Sequence, residues 1–501
     1  GGLYVETDED YKSQNNGQES DNKVDNLMLK VDYDINDYTI TSTTAYLKYT
    51  TDELIDVDYT ALDLFDGSVQ GESFKQWSQE LRVASPTDGD FDYIAGIYLQ
   101  GNELITYDNV LFGSTFAANP AFAPVVNGSW DRDYSQDSDV FSAFAQLNWR
   151  ITEKLSLTAG ARYSKEEKDA HRVLNLPGEN TSGIPADGLF PGSPAFGPQA
   201  GFEVVMGAIK IYAHELEGNR KESQLDPLLN LQYEIDEDTM LYASYTQGSK
   251  GGGFDIRSNS YPENPVNPGS FEFEDEQATS YELGGKFGFG VLEINAAAFF
   301  TNYEDLQITQ FDGVVGFNVQ NAAKAETKGI EIDGRWLLAE ALVLTGSLAY
   351  LDFEYSDFDI AQCAPDLVLP DQVLSSTVPG LCNLSGERAI YTPELTGSLR
   401  LQYQQDIGDW AYMTYGLNME YSDEYNAGVT LDPNTVQDSY TRWGLRVALA
   451  DYDDQWQVAL IANNITDERV MTLSNSLPFS TTLTAGTGVA YYGIYDRPRS
   501  V

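Results

Sequence analysis

Apolar and polar residues alternate one by one in segment after segment of this chain. In 155–163, Leu155, Leu157, Ala159, Ala161 and Tyr163 share one face, and Ser156, Thr158, Gly160 and Arg162 the other. In 411–421 the apolar face is Ala411, Met413, Tyr415, Leu417, Met419 and Tyr421, opposite Tyr412, Thr414, Gly416, Asn418 and Glu420. The same split recurs at 27–33, 281–289 and 443–449. A period of two is a strand with two different surroundings. The second face carries charged and small residues each time. In a soluble sandwich it would meet bulk water; in a membrane barrel it would line a wet lumen. Tyr and Trp at the strand ends of the apolar faces favour the lumen. So do strand lengths of about 11–16 residues, which suit a tilted membrane crossing.

The connections add a second rhythm. Hairpins are read at about 24–35/38–50, 73–85/90–108, 134–150/154–168 and 218–235/238–250. Four more fall at about 276–289/291–303, 325–338/341–355, 391–405/410–421 and 438–450/455–465. Within each the turn is short, as at Asn36-Asp37, Gly290 and Gly408-Asp409; between them the connections are long. Strict short–long alternation predicts an all-β fold: a transmembrane, antiparallel, up-and-down β-barrel. Short turns would face the periplasm and long loops the exterior. About 16–18 strands are expected in 1–501, read as one barrel domain.

Composition narrows the reading. No run of about 18 apolar residues exists, so a helical span is excluded, while a barrel is not. Lys and Arg number 29 against 78 Asp and Glu, a net charge of −49, so nucleic acid is excluded as a partner. The acidic groups Asp52/Glu53/Asp56/Asp58, Glu272/Glu274/Asp275/Glu276 and Asp451/Asp453/Asp454 read as solvated loop carboxylates, with calcium in the acidic extracellular loops as the alternative. The only cysteines, Cys363 and Cys382, fit one disulfide in an oxidising compartment, two lone thiols being the alternative.

Several segments resemble TonB-dependent outer-membrane receptors. They include Ser78-Gln79-Glu80-Leu81-Arg82-Val83 followed by Ile94-Ala95-Gly96-Ile97-Tyr98, and Leu157-Thr158-Ala159-Gly160-Ala161-Arg162-Tyr163. Gly248-Ser249-Lys250-Gly251-Gly252-Gly253-Phe254, Tyr281-Glu282-Leu283-Gly284-Gly285-Lys286 and Asn463-Asn464-Ile465-Thr466-Asp467-Glu468 are similar to others of the same family. Their order holds along essentially the whole chain. The resemblance implies a 22-stranded barrel with an N-terminal plug, in the outer membrane of a Gram-negative bacterium. Plug, TonB box and roughly the first five strands are expected to lie outside this chain. It implies import of a scarce nutrient, captured at the extracellular loops and driven by the TonB–ExbB–ExbD complex. The substrate would be an iron complex, cobalamin or an oligosaccharide. The acidic exterior tilts this toward neutral glycans or calcium-bridged ligands. Implied partners are outer-membrane lipid, lipopolysaccharide and a surface lipoprotein or further receptor subunits. A passive porin and a surface adhesin are the alternatives.

No catalytic constellation stands out, so the chain is read as a non-enzyme. His171 and His214 fall in the longest loop region. The run from Lys250 to Phe254 lacks the order of a phosphate loop and reads as a flexible rim turn, with substrate lining as the alternative. The large loop aromatics Phe112, Phe116, Phe122, Trp130, Phe190 and Phe196 need burial, either loop on loop or against a ligand. The ligand-facing candidates are therefore Phe112, Phe116, Trp130, Lys250 and Phe254.

Overall fold

The computed structural model describes residues 19–58, 62–118, 120–126, 128–176, 205–207, 211–259, 261, 271–311, 317–364, 373–377, 381–453, 455–477 and 488–501. Phe190 and Phe196 lie outside these. The first strands are β1 (Glu19–Ile35), β2 (Tyr38–Ile55), β3 (Phe65–Ala84), β4 (Phe91–Phe112), β5 (Ser129–Arg150), β6 (Leu155–Asn175), β7 (His214–Asp236) and β8 (Thr239–Lys250). After the short pair β9 (Gly253–Phe254) and β10 (Glu272–Phe273) come β11 (Glu276–Gly288), β12 (Leu292–Phe311), β13 (Phe317–Ala339) and β14 (Leu342–Asp357). The chain continues through β15 (Leu395–Ile407), β16 (Ala411–Ser422), β17 (Tyr425–Asn426), β18 (Val436–Gln437), β19 (Tyr440–Asp451), β20 (Gln457–Ala462), β21 (Met471–Ser476) and β22 (Tyr491–Tyr495).

Sixteen of these strands form one sheet in chain order, β1 to β8, β11 to β16, then β19 and β20, each bonded to the next in that order. Every pairing is antiparallel, and all eight hairpins expected from the alternation are present. The turns follow local chemistry. Asn36 and Asp37 both take positive φ (47° and 67°), the two-residue turn whose twist matches paired strands.

The apolar face points outward. Leu283 is 64% exposed and Leu225 56%. Each such side chain left in water would forgo about 1.5–3 kcal/mol, so dozens of them require hydrocarbon. Six of the seven tryptophans lie on that face or at the short turns, where Trp410 and Trp456 approach to 6.2 Å.

The strands run further at their extracellular ends than the alternation predicts. β5 starts at Ser129 and β7 at His214, so Phe112, Trp130, His171 and His214 are strand residues, not loop residues. Above the membrane both faces are wet, so the hydrophobic alternation stops while the hydrogen-bond ladder continues. The main buried core also sits at this end, outside the membrane. Leu64, Phe65, Phe112, Phe116, Val125, Trp130, Leu174 and Met206 pack there, between strand ends and loops. Cys363 and Cys382 form a disulfide, with Cα atoms 5.1 Å apart, in the loop after β14. Downstream of Pro498, Ser500 exchanges two backbone hydrogen bonds with Asn463, of 2.9 and 3.1 Å.

Candidate functional site

The lumen face of β4–β7 carries a buried cationic wall at its extracellular end. Register aligns Asp108 with Arg132 and Leu174, and Tyr134 with Arg172 and Leu216. One strand length below, the same parity holds Gln146, Asn148 and Arg162, whereas Leu147, Leu157 and Tyr163 face lipid. Arg132, Arg172 and Arg220 are all nearly or fully buried. Arginine is not buried without partners, and most of the partners come from one segment, the connection from β8 to β11.

That connection folds inward as a strap. It starts at Gly251-Gly252-Gly253, and the reason for glycine is space. A Cβ on Gly251 would lie 2.5 Å from a Glu166 carboxylate oxygen, and one on Gly252 would lie 2.5 Å from both Arg220 Nε and the Phe273 carbonyl. The backbone therefore rests directly on charged side chains. Lys168 Nζ donates to the Gly252 carbonyl at 2.6 Å, and the Gly252 N–H donates to Glu222 at 3.2 Å. The glycine run is a close-approach device rather than a flexible rim turn.

Phe254 then drops over Gly218, where a Cβ would sit 2.1 Å from its ring. It packs with Tyr134, Ala170 and Phe271. Asp255 turns the chain: one carboxylate oxygen accepts the N–H groups of Arg257 and Ser258 at 3.0 Å each, the other that of Val319 at 2.9 Å. Arg172 donates to the Asp255 carbonyl at 2.5 Å and lies 5.0 Å from the centre of the Phe271 ring. Arg132 pairs with Asp108 at 3.4 Å and donates to Asn259 at 2.9 Å. The exit of the strap is held by Arg220, which meets Glu222 at 2.8 Å, Glu272 at 2.9 Å, Glu274 at 2.7 Å and Asp275 at 3.4 Å.

Burial sets the protonation of this wall. It lowers Arg172 to about 10 and raises the Asp255 carboxyl above its ordinary range, against the Val319 N–H and the Arg172 charge. His214 stacks on Tyr261 at 4.7 Å, with Nδ1 facing the Tyr212 carbonyl at 2.8 Å and Nε2 3.3 Å from Arg172. Burial, with the Arg172 and Arg132 charges beside it, pushes His214 down to about 4. It is a neutral imidazole in the strap's footing.

At the strap's tip, Ile256 and the exposed Arg257 close a cavity of about 170 Å³ against Thr51, Glu53, Glu72 and Asp108. This is a mixed-charge recess at the lumen mouth, able to offer a guanidinium, carboxylates and hydroxyls to a ligand entering from outside.

The structure separates the candidates read from sequence. Phe112, Phe116 and Trp130 are buried in the loop core, with ring centres 5.3–5.4 Å apart. Phe254 is the buried anchor of the strap itself. Lys250 is exposed, 3.7 Å from Glu276. The acidic run at 272–275 surrounds the Arg220 guanidinium. Asp56 and Asp58 are buried, the Asp58 carboxylate accepting the Phe65 N–H at 3.0 Å. Asp451 caps a short turn by accepting from Gln455 and Trp456. Arg132, Arg172, Arg220 and Gly218 were not picked out. For the three arginines the one sequence signal is recurrence at lumen parity in a chain with 29 Lys and Arg against 78 Asp and Glu.

The family model described as "TonB dependent receptor-like, beta-barrel" matches residues 2–465. The chain belongs to the TonB-dependent receptor β-barrel family, whose barrels lie in the outer membrane. It is 24% identical to the pesticin receptor of Yersinia enterocolitica over 270 residues, 53% of this chain and 32% of that one. The fold is similar to the ferric yersiniabactin uptake receptor of Yersinia pestis, with TM-score 0.71 and 15% identity over 97% of this chain and 62% of the other. It is also similar to the siderophore receptor PiuA of Acinetobacter baumannii, with TM-score 0.63 and 16% identity over 96% and 63%. The chain thus spans about a third of the curated relative and under two thirds of the solved structures.

Proposed function

We propose that this barrel belongs to an importer that captures an iron complex at its extracellular mouth and passes it inward with energy delivered through TonB. The observation that carries the reading is the strap of residues 251–259, pinned on the lumen wall by Arg132, Arg172 and Lys168, with Arg257 presented over the recess. A chelate bearing hydroxyl and carboxylate oxygens matches a guanidinium flanked by hydroxyls and acids. An oligosaccharide is the weaker fit, because Phe112, Phe116 and Trp130 are committed to loop packing and offer no stacking platform. The siderophore receptors that the chain is similar to point the same way.

The test is uptake of radiolabelled iron, supplied as defined ferric siderophores, by cells carrying the full-length receptor. Accumulation should require the receptor and TonB and stop when a protonophore collapses the gradient. Uptake that survives the protonophore would indicate a passive pore, and binding with no accumulation an adhesin; either outcome overturns the proposal. Induction by a glycan and not by iron starvation would overturn the choice of substrate.

A further inference from the structure

The wall under the strap is cationic, and the strap meets it with neutral oxygens. Lys168 Nζ donates to the Gly252 carbonyl at 2.6 Å, Arg172 Nη1 to the Asp255 carbonyl at 2.5 Å and Arg132 Nη2 to the side-chain oxygen of Asn259 at 2.9 Å. The one acid in 251–259, Asp255, turns its carboxylate elsewhere, to the N–H groups of Arg257, Ser258 and Val319. The chain holds 78 Asp and Glu, yet the segment lying on these buried arginines presents amides to them.

The contact with Arg132 is incomplete. Arg132 and Asn259 are each 4% exposed. Arg132 Nε and Asn259 Nδ2 nevertheless have no hydrogen-bond partner among the described residues. Nε and Nη2 share the edge of a guanidinium that a carboxylate engages with two parallel bonds. Asn259 occupies that edge with one oxygen, and its own donor stands idle beside it. A buried donor left without an acceptor is costly, and a second oxygen on this edge would remove the cost. The other side of the guanidinium is taken by Asp108, 3.4 Å from Nη1. Asp108 also lines the recess of about 170 Å³ at the strap's tip. The half-used edge therefore adjoins the space into which a ligand arrives.

We infer that the Nε–Nη2 edge of Arg132 is the seat of a ligand carboxylate, with Asn259 as its built-in stand-in, so that closure of the strap and binding of a carboxylate-bearing ligand exclude each other. The inference rests on the reading of this mouth as a capture site, and adds the group recognised and the segment displaced. Away from water, a full negative charge on two oxygens outcompetes an amide with one, because attraction is weakly screened there. Displacing the strap also releases Arg172 Nη1 and Lys168 Nζ from its carbonyls, so further oxygens of the ligand meet donors already in place. A neutral ligand brings no charge to this edge and leaves the strap closed.

The test is hydrogen exchange on the peptide covering 251–259 of the full-length receptor in mild detergent, without iron or TonB. The probes are tricarballylate, a simple tricarboxylate, at millimolar concentration, and its uncharged trimethyl ester. The acid should speed exchange at least tenfold and the ester should not. Asn259→Asp puts a second acceptor where the idle donor stands. Its strap should exchange at least tenfold more slowly without ligand, and correspondingly more tricarballylate should be needed to release it. Arg132→Lys keeps the charge and removes the fork, so the response to tricarballylate should be lost. Both variants should keep the heat-modifiable gel shift of a folded barrel. No response of the wild type to the acid, an equal response to the ester, or a folded Asn259→Asp protein no better protected than wild type would overturn the inference. Uptake judges the importer reading separately: loss of TonB-dependent accumulation with the tricarballylate response intact strikes that reading and supports the seat.

Discussion

Acidification should release the strap through His214, and the size of the effect follows from the burial of one ring. In the packed state His214 titrates at about 4; released, it returns to its ordinary value of 6.5. It lies at the extracellular start of β7, outside the membrane band. Above pH 6.5 both states are neutral and the strap has its full stability. As the pH falls from 6.5 toward 4 the open state takes up a proton that the closed state refuses, and closure weakens; below 4 the loss levels off. The gap of about 2.5 units corresponds to about 3 kcal/mol. By about pH 4.5 closure should weaken roughly a hundredfold. The charged and titratable groups around the ring are Arg172, Arg132 and Tyr261. Asp255, raised by burial, favours closure on acidification and partly opposes the effect. Hydrogen exchange on peptides covering 211–218 and 251–259 of the full-length receptor, corrected for intrinsic rate, reads it directly. His214→Asn should flatten the pH dependence. Protection that stays constant from pH 7 to 4.5, or a dependence unchanged in the variant, would refute the reasoning.

Further expectations follow from the same contacts. Gly218→Ala places a methyl group in the seat of the Phe254 ring; trypsin should then cut at Arg257 at least tenfold faster, with the barrel still folded. Arg220→Gln removes the guanidinium that Glu222, Glu272, Glu274 and Asp275 share; exchange in 271–275 should rise, and more steeply at low salt than at high. Leu283→Arg on the lipid face should cost about 2–4 kcal/mol of folding stability in vesicles, while Glu282→Gln on the lumen face should be close to neutral; equal effects would mean the faces are assigned wrongly. Reduction should add two mass units to the Cys363–Cys382 pair and loosen its loop, by about 3 kcal/mol on a chain-entropy account, with no change in the transmembrane strands.

Legibility divides along the membrane boundary. Within it, Leu155 to Tyr163 or Ala411 to Tyr421 declare their two faces residue by residue, because hydrocarbon and lumen impose opposite chemistry on alternate positions. Above it, Asp169 to Asn175 reads as loop although it is strand. Both faces there are wet, and nothing in the composition marks the ladder. The buried aromatics follow a related rule. Phe112, Phe116 and Trp130 need burial wherever they lie, but sequence does not say whether a loop or a ligand buries them.

The order of strands, the short turns and the outward face were fixed by sequence alone, since they depend on neighbours one or two residues apart and on the solvent each side must meet. Which arginines become buried, why three glycines follow Lys250 and where the strap lands were decided only by the folded sheet. Arg172 and Asp255 are 83 residues apart. Only the lateral pairing of β4 to β8 brings the wall under the strap, and the closeness of that approach is what makes glycine necessary and protonated histidine unwelcome.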